Sequence, residues 1–414
     1  MNDFHTAGML PFQLSGFAGS DRNKGVISFA GYLPISEMLG LEAIREARDQ
    51  LQAGYCPGVG PDDAMAGKVS LREQLLRRMV RSVGTMKVPE PGQMLWLSSP
   101  RTALNAVIRI IAKPGDTVLV EALTSAESLG LFKTHGLQAV AASSEHEGIS
   151  IDSARTQIKA RRPRFIYTMP TYGSPDGRLW NQARREELLE LAREFDIPVV
   201  EDDTYSGLNF GDVVEDGKLM KQESARPIPS LLELDGDIKA GRVIYIGGIP
   251  SLSADEFGWP TGWITANSEL IGKILEAKQT VDSGARPTVS EAELSRLSQV
   301  LPLEVMEAAL AAACRARLAR MKRLLTKYMP ATRWTEPRGG LFLWVELPEG
   351  LDAEALQRAS ALQGVAIQPG AGCYASEARR NTARLNFCGM KEEEMEEGIR
   401  RLAEAADAFT ARSI

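Results

Sequence analysis

Between residues 94 and 266, short runs rich in β-branched and aromatic residues alternate with runs of helical period, and this alternation limits the available folds more than any other feature of the chain. The order is MLWLS (94–98), a helix over 101–112, TVLVE (117–121), a helix over 125–135 and a strand over 137–142. It continues with RFIYT (164–168), a helix over 181–195, IPVVE (197–201), a strand over 243–247 and GWITA (262–266). Short apolar strands joined through helices predict a largely parallel, doubly wound α/β sheet covered on both faces. Upstream, GLEAIREARDQLQ (40–52) has helical spacing, and residues 69–84 predict an amphipathic helix with Ser70 as N-cap and Gly84 as stop. From residue 268 the pattern changes to long helices (268–281 and 289–328). A smaller α+β module follows, with GGLFLWVEL, GVAIQPG and TARLNF ahead of a closing helix. The expected division is an arm with part of the small domain (1–45), a large α/β domain (46–297) and a small C-terminal domain (298–414). A ligand cleft belongs at the carboxyl ends of the parallel strands, against the small domain.

Composition narrows the function classes. The net charge of −6 over 414 residues is spread rather than blocked, which argues against a nucleic-acid or anionic-membrane surface. The four cysteines have no CxxC spacing and the three histidines are scattered, so neither a disulfide framework nor a metal centre is expected. No stretch is apolar enough to span a bilayer and the N-terminus lacks a signal-like pattern. The expected location is the cytoplasm.

One segment raises a question about chemistry. YIGGIPSLSADEFGWPTGWI (245–264) is a buried strand ending in Gly-Gly, a junction that commonly delivers a functional side chain to a cleft, yet it contains no Lys, His, Cys or Arg. Lys239 precedes the strand, and Lys273 and Lys278 lie on the following helix. None of them is well placed to serve as an imine-forming amine, which must come from the cleft itself.

ISFAGYLP, LREQLLRRM, KPGDTVLVE, RRPRFIYTMPTYGSPDG, LAREFDIPVVEDDTYSGLNF, GRVIYIG, GGLFLWVELPEG and RNTARLNF together resemble the fold-type-I pyridoxal-phosphate aminotransferases. The subgroup resembled is the one often fused to GntR-type DNA-binding domains. The resemblance covers about residues 25–410, in order, and implies a large seven-stranded, mostly parallel sheet domain with a smaller α+β domain. It also implies roles for particular residues. Asp202 matches the acid that bonds the cofactor's pyridine nitrogen, and Tyr205 matches the phenol at the cofactor oxygen. Arg384 matches the arginine that pairs with a substrate carboxylate, a task its planar fork suits. Tyr55 matches a tyrosine reaching the neighbouring subunit's phosphate site, which implies a homodimer.

Other positions depart from the family pattern. Ser251 stands where the family has its Schiff-base lysine, and Pro250 replaces a phosphate-binding serine. The Ser-Gly-Ser phosphate loop has become Ser98-Ser99-Pro100, with Arg101 opening the next helix as a replacement cation. Ser125 stands in place of the aromatic that stacks on the cofactor, Ser174 in place of an asparagine, and Tyr32 in place of a glycine. Ser98, Ser99, Ser125 and Ser251 therefore mark a former cofactor site.

Three functions remain open on these residues. The leading expectation is an enzyme of small-molecule metabolism, with no cofactor and no metal. It would act on an amino-acid-derived carboxylate held by Arg384, Tyr55, Ser174 and Arg101, and Asp202, Tyr205 and Tyr32 would supply acid/base chemistry. The second is an enzyme that holds pyridoxal or pyridoxamine phosphate noncovalently. The third is an inactive paralogue that binds a partner through the family's dimer surface.

Overall fold

The computed structural model describes residues 25–32, 34, 38, 46, 49, 71–80, 86–211, 213–215, 218–220, 228–250, 261–281, 295, 298 and 303–410. A seven-stranded sheet forms the centre, built from β1 (Met94–Leu97), β2 (Thr117–Glu121), β3 (Gln138–Ala142), β4 (Phe165–Thr168), β5 (Val199–Asp203), β6 (Val243–Gly248) and β7 (Gly262–Thr265). Their spatial order is β1-β7-β6-β5-β4-β2-β3. β7 runs antiparallel to both of its neighbours, and the other pairings are parallel. The fold-type-I architecture is therefore present, with a second, antiparallel sheet of β8 (Arg333–Trp334), β9 (Phe342–Glu346), β10 (Gln368–Pro369) and β11 (Thr382–Asn386) in the order β8-β9-β11-β10. Ile27–Ser28 pairs in parallel with Val365–Ala366, so the chain's early residues join the C-terminal part.

Most predicted elements lie within one or two residues of the observed ones. α1 spans Pro100–Ile111, α2 Ala126–Thr134 and α3 Gln182–Phe195. The strand expected over 197–201 instead begins at Val199, for a local reason. Asp196 adopts a left-handed φ of 51° and the Ile197 amide still bonds back to the Ala192 carbonyl, while Pro198 has no amide to give. The helix cap thus consumes the first residues of the apolar run, and the acidic triplet Glu201-Asp202-Asp203 becomes part of the strand. The helix expected over 69–84 is observed as Leu71–Arg78, with both of its end signals outside the described residues. Of the helix expected over 40–52, Glu46 and Asp49 are described and helical. The helix expected from 289 is described continuously as Leu303–Tyr328. No helix among the described residues is long and apolar enough to cross a membrane.

The period of two along β5 separates its acids. Glu201 and Asp203 face one side of the sheet and Asp202 the other. On the first side, α3 contributes Arg185, which has no exposed surface. Its guanidinium donates to the carbonyls of Trp180, Pro229 and Pro170 and to the Thr171 hydroxyl, and lies 3.8 Å from Glu201. Glu201 in turn accepts from the amides of Leu231 and Leu232 at 2.8 and 3.0 Å. Burial pushes the Glu201 carboxyl up and the Arg185 guanidinium down, so each depends on the other's presence. Removing one member of a buried pair leaves an uncompensated charge or several orphaned acceptors. Arg185→Met is expected to cost about 3–5 kcal/mol in a urea melt; a loss below about 1 kcal/mol, the size of an exposed pair, would contradict this account.

Candidate active site

Asp202 is delivered to the opposite side of the sheet, at the carboxyl end of β5. Its Oδ2 accepts from the Tyr167 hydroxyl at 2.8 Å, and the Ser128 hydroxyl, 2.8 Å from the same oxygen of Tyr167, is left to donate to it. Oδ1 accepts from the Thr204 amide and hydroxyl. The carboxylate is buried and forms no ion pair among the described residues. Burial raises its pKa, while the bonds from Thr204 and Tyr167 act the other way. Tyr205, three residues on, is buried with its ring edge-on to Phe342 at 5.4 Å, and burial holds its phenol protonated.

The start of α1 lies beside this acid. A Cβ on Gly248 would stand 2.9 Å from both Pro100 and Thr204, and one on Gly262 would stand 2.3 Å from the Ser99 carbonyl carbon. Only glycine lets the ends of β6 and β7 run this close to the helix N-terminus. Ser99 caps the helix by accepting from the Thr102 amide at 3.1 Å, and the Ser98 and Thr102 hydroxyls are 2.9 Å apart. Ser98 and Arg101 are exposed, and Arg101 has no ion-pair partner among the described residues. A capped helix start with an exposed hydroxyl at Ser98 and a guanidinium without an ion-pair partner among the described residues is suited to an anion. Ser125, by contrast, is buried as the N-cap of α2, accepting from the Ser128 amide.

Arg384 reaches the same region from β11 and is 1% exposed. Its Nη1 donates to Ser174 Oγ at 3.3 Å, and its Nη2 donates to the carbonyls of Ala30 and Gly31 at 2.8 and 3.0 Å. The Tyr32 ring covers one face of the guanidinium at 3.8 Å and Phe342 lies 4.2 Å from it. Nε is buried without a hydrogen-bond partner among the described residues. Tyr32, expected as an acid/base group, thus stacks on the cation; burial raises its pKa and Arg384 partly offsets this.

Sequence reasoning missed Glu127, on the first turn of α2. This carboxylate is half-buried, makes no hydrogen bond or ion pair among the described residues, and is pushed up by burial. Arg384 and Arg101 pull its pKa down and Asp202 raises it, while Glu127 itself raises the phenols of Tyr205 and Tyr32. An acid in a first turn ordinarily complements the helix dipole, so nothing in its spacing distinguished it. The Ser128–Tyr167 support of Asp202 was missed as well. Tyr55 and Ser251 lie outside the described residues. Lys239 is exposed at the amino end of β6, the wrong edge of the sheet, and Lys273 is bonded to Glu269 at 2.6 Å on the surface.

A family model described as aminotransferase class I and II matches residues 40–402. The chain belongs to this family. An aromatic-amino-acid aminotransferase of Thermococcus litoralis is 30% identical over 402 residues, covering 92% of this chain and 87% of that protein. The solved α-aminoadipate aminotransferase of Thermus thermophilus, complexed with N-(5'-phosphopyridoxyl)-L-leucine, superposes with a TM-score of 0.77 at 28% identity, covering 94% of each chain. A kynurenine aminotransferase of Pyrococcus horikoshii, in complex with pyridoxamine phosphate, gives 0.75 at 30% identity, covering 93% of this chain and 91% of that one. These relatives overturn the expectation that the cleft works without a cofactor and point to pyridoxal phosphate. The physical reason is that the substituted positions, taken together, do not remove the donors that remain: Asp202 is bonded to Thr204, which meets Pro100 at the α1 start across Gly248. They also favour the cofactor-dependent alternative over cofactor-independent acid/base chemistry.

A second acid nearby offers a pH test. Glu121, at the end of β2, accepts from Thr168 at 3.0 Å beside a cavity of about 10 Å³, the room of one water, that Ser174 and Tyr167 also line. Burial, with Asp176 adding to it, pushes its carboxyl up from 4.5 to about 7. The folded chain therefore binds more protons than the unfolded one between these values, and stability falls as pH rises through that window. Relative to Glu121→Gln, the wild type is expected to lose on the order of 3 kcal/mol in urea melts between about pH 4.5 and about pH 7. Parallel profiles would contradict the assignment.

Proposed function

We propose that this chain is an enzyme acting on amino groups that holds pyridoxal or pyridoxamine phosphate noncovalently in the cleft between Asp202 and the start of α1. The observation that carries this reading is the Asp202 carboxylate: it is buried, fixed on both oxygens by hydroxyl and amide donors, and has no ion-pair partner among the described residues. A buried carboxylate is stable when a positive or strongly hydrogen-bonding group completes it, and a protonated pyridine nitrogen is such a group. The donor set fits the cofactor at its other end too, with Ser98, Arg101 and the α1 N-terminus suited to a phosphate.

When bound, the cofactor supplies an electron-withdrawing ring and a carbon through which amino groups are exchanged. The chain's own residues supply position and protons. Asp202 holds a proton at the ring nitrogen, and Ser128 and Tyr167 keep the carboxylate oriented toward it. Tyr205, kept protonated by burial, donates to the ring oxygen. Arg101 and Ser98 hold the phosphate against the helix. The residues of β6 and the two that follow, Ile249 and Pro250, offer no amine, and neither does any other residue of 245–264. Retention therefore rests on these noncovalent contacts. A second copy of the chain, bringing Tyr55 to the phosphate end, belongs to the same reading.

A spectral titration with pyridoxal and pyridoxamine phosphates tests it. Saturable binding that borohydride does not make permanent is expected, and Asp202→Ala should weaken it by about tenfold or more, the loss of one charged hydrogen bond. Permanent attachment after borohydride would contradict the noncovalent reading, and absence of any spectral change would contradict cofactor binding.

A further inference from the structure

Arg384 bears on the substrate through what it already holds. It belongs to the wall of the proposed site. Phe342 lies 4.2 Å from its guanidinium and packs edge-on against Tyr205 at 5.4 Å. Ser174, which accepts from Nη1 at 3.3 Å, lines a water-sized cavity together with Tyr167, the partner of Asp202. The period of two along β11 sends the side chains of Arg384 and Asn386 to one side, against the stretch Phe29–Gly31. There Arg384 Nη2 donates to the carbonyls of Ala30 and Gly31 at 2.8 and 3.0 Å, and Asn386 Nδ2 donates to Gly31 at 3.1 Å. The Asn386 backbone amide adds a bond to the Phe29 carbonyl at 2.7 Å. The other edge of the stretch is fixed as well, with the Ile27 and Phe29 amides donating to the carbonyls of Gly364 and Ala366, each at 2.8 Å. The carbonyls facing Arg384 therefore cannot swing away without loosening the pairing that seats the early residues.

A carboxylate grips a guanidinium through two parallel hydrogen bonds, taken from Nε and Nη2 or from Nη1 and Nη2. Both grips need Nη2, which is given to two main-chain carbonyls. Nε is buried, and the residue as a whole is 1% exposed, with the Tyr32 ring 3.8 Å over the guanidinium. We infer that Arg384 is a structural clasp and not a carboxylate anchor, so that the substrate of this cleft is a primary amine with an uncharged group where an amino acid has its α-carboxylate. The inference rests on the proposed cofactor cleft being the substrate site. A carboxylate entering beside Arg384 would stay unpaired or would strip Nη2 from Ala30 and Gly31, and either course costs binding. The neighbours of the guanidinium, the Tyr32 and Phe342 rings, suit an uncharged group better than an anion.

Amino acids and the amines left by removing their carboxyl groups separate the two cases, because each pair shares its side chain. The pairs are L-norleucine with pentylamine, L-phenylalanine with 2-phenylethylamine, and L-lysine with 1,5-diaminopentane. Their binding to the whole chain is measured by isothermal titration calorimetry with pyridoxamine phosphate present and again without it. This form of the cofactor has no aldehyde, so recognition is read without imine formation. In the pair that binds best, the amine is expected to bind about tenfold or more tightly than its amino acid, the cost of a carboxylate without a partner. Amino acids that bind as tightly as their amines or more tightly, or no binding of any amine, would overturn the inference. Arg384→Gln is expected to lower the urea midpoint, as loss of a clasp requires, and to keep the amine preference. An unchanged midpoint, or an amine preference that vanishes in this variant, would also overturn it. The wild-type pairs alone decide the matter should the variant fold poorly. The spectrum of the cofactor is followed separately. Cofactor binding without amine preference defeats this inference alone, and amine preference without cofactor binding defeats the cofactor reading alone.

Discussion

Much of this molecule depends on the alternation of side chains along β5. Three consecutive acids at the end of a buried parallel strand would be untenable on one face. A period of two divides them, sending Glu201 to Arg185 and Asp203 to the Tyr245 hydroxyl, which donates to it at 2.8 Å. Asp202 is left alone on the other face. The clamp around Arg185 ties α3, the segment after β4 and the turn before Leu231 to the back of the strand. It therefore fixes the height at which Asp202 enters the cleft. Structural charges lie behind the sheet and the chemical one in front, and the strand backbone couples them.

Arg384 plays the complementary part from the C-terminal side. It joins three stretches of chain, β11, Ala30–Gly31 and Ser174, and its burial under the Tyr32 ring and beside Phe342 gives it the surroundings of a core residue. The cleft thus holds one sheltered cation, Arg384, and one exposed cation, Arg101. The 2-aminoadipate and aromatic amino acids in the names of similar proteins do not carry over to this chain by likeness alone.

The sequence made the architecture legible because long, strongly periodic segments overdetermine it: the seven strands and the helices between them follow from period and apolar run length. The shift of β5 to Val199–Asp203 was not legible, because it depends on the left-handed Asp196 extending the preceding helix cap. The site was legible in part. Asp202, Tyr205 and Arg384 could be found from their motifs, but the stacking of Tyr32 on Arg384 could not, since it depends on how the early residues pair with Val365–Ala366. Glu127 was hidden for a different reason, because a first-turn glutamate has an ordinary explanation. The cofactor expectation failed because substitutions are visible in a sequence, whereas the approach of the α1 start to Thr204 and Asp202 across Gly248 is visible only in the fold.

The most direct test of this account is a crystal structure of the protein grown with pyridoxal phosphate. The account predicts the cofactor in the cleft with its ring nitrogen facing Asp202, its phosphate at Ser98 and Arg101, and no continuous electron density to any lysine. A cofactor joined covalently to a lysine, or a cleft that excludes it while Asp202 stays as described, would contradict the central claim.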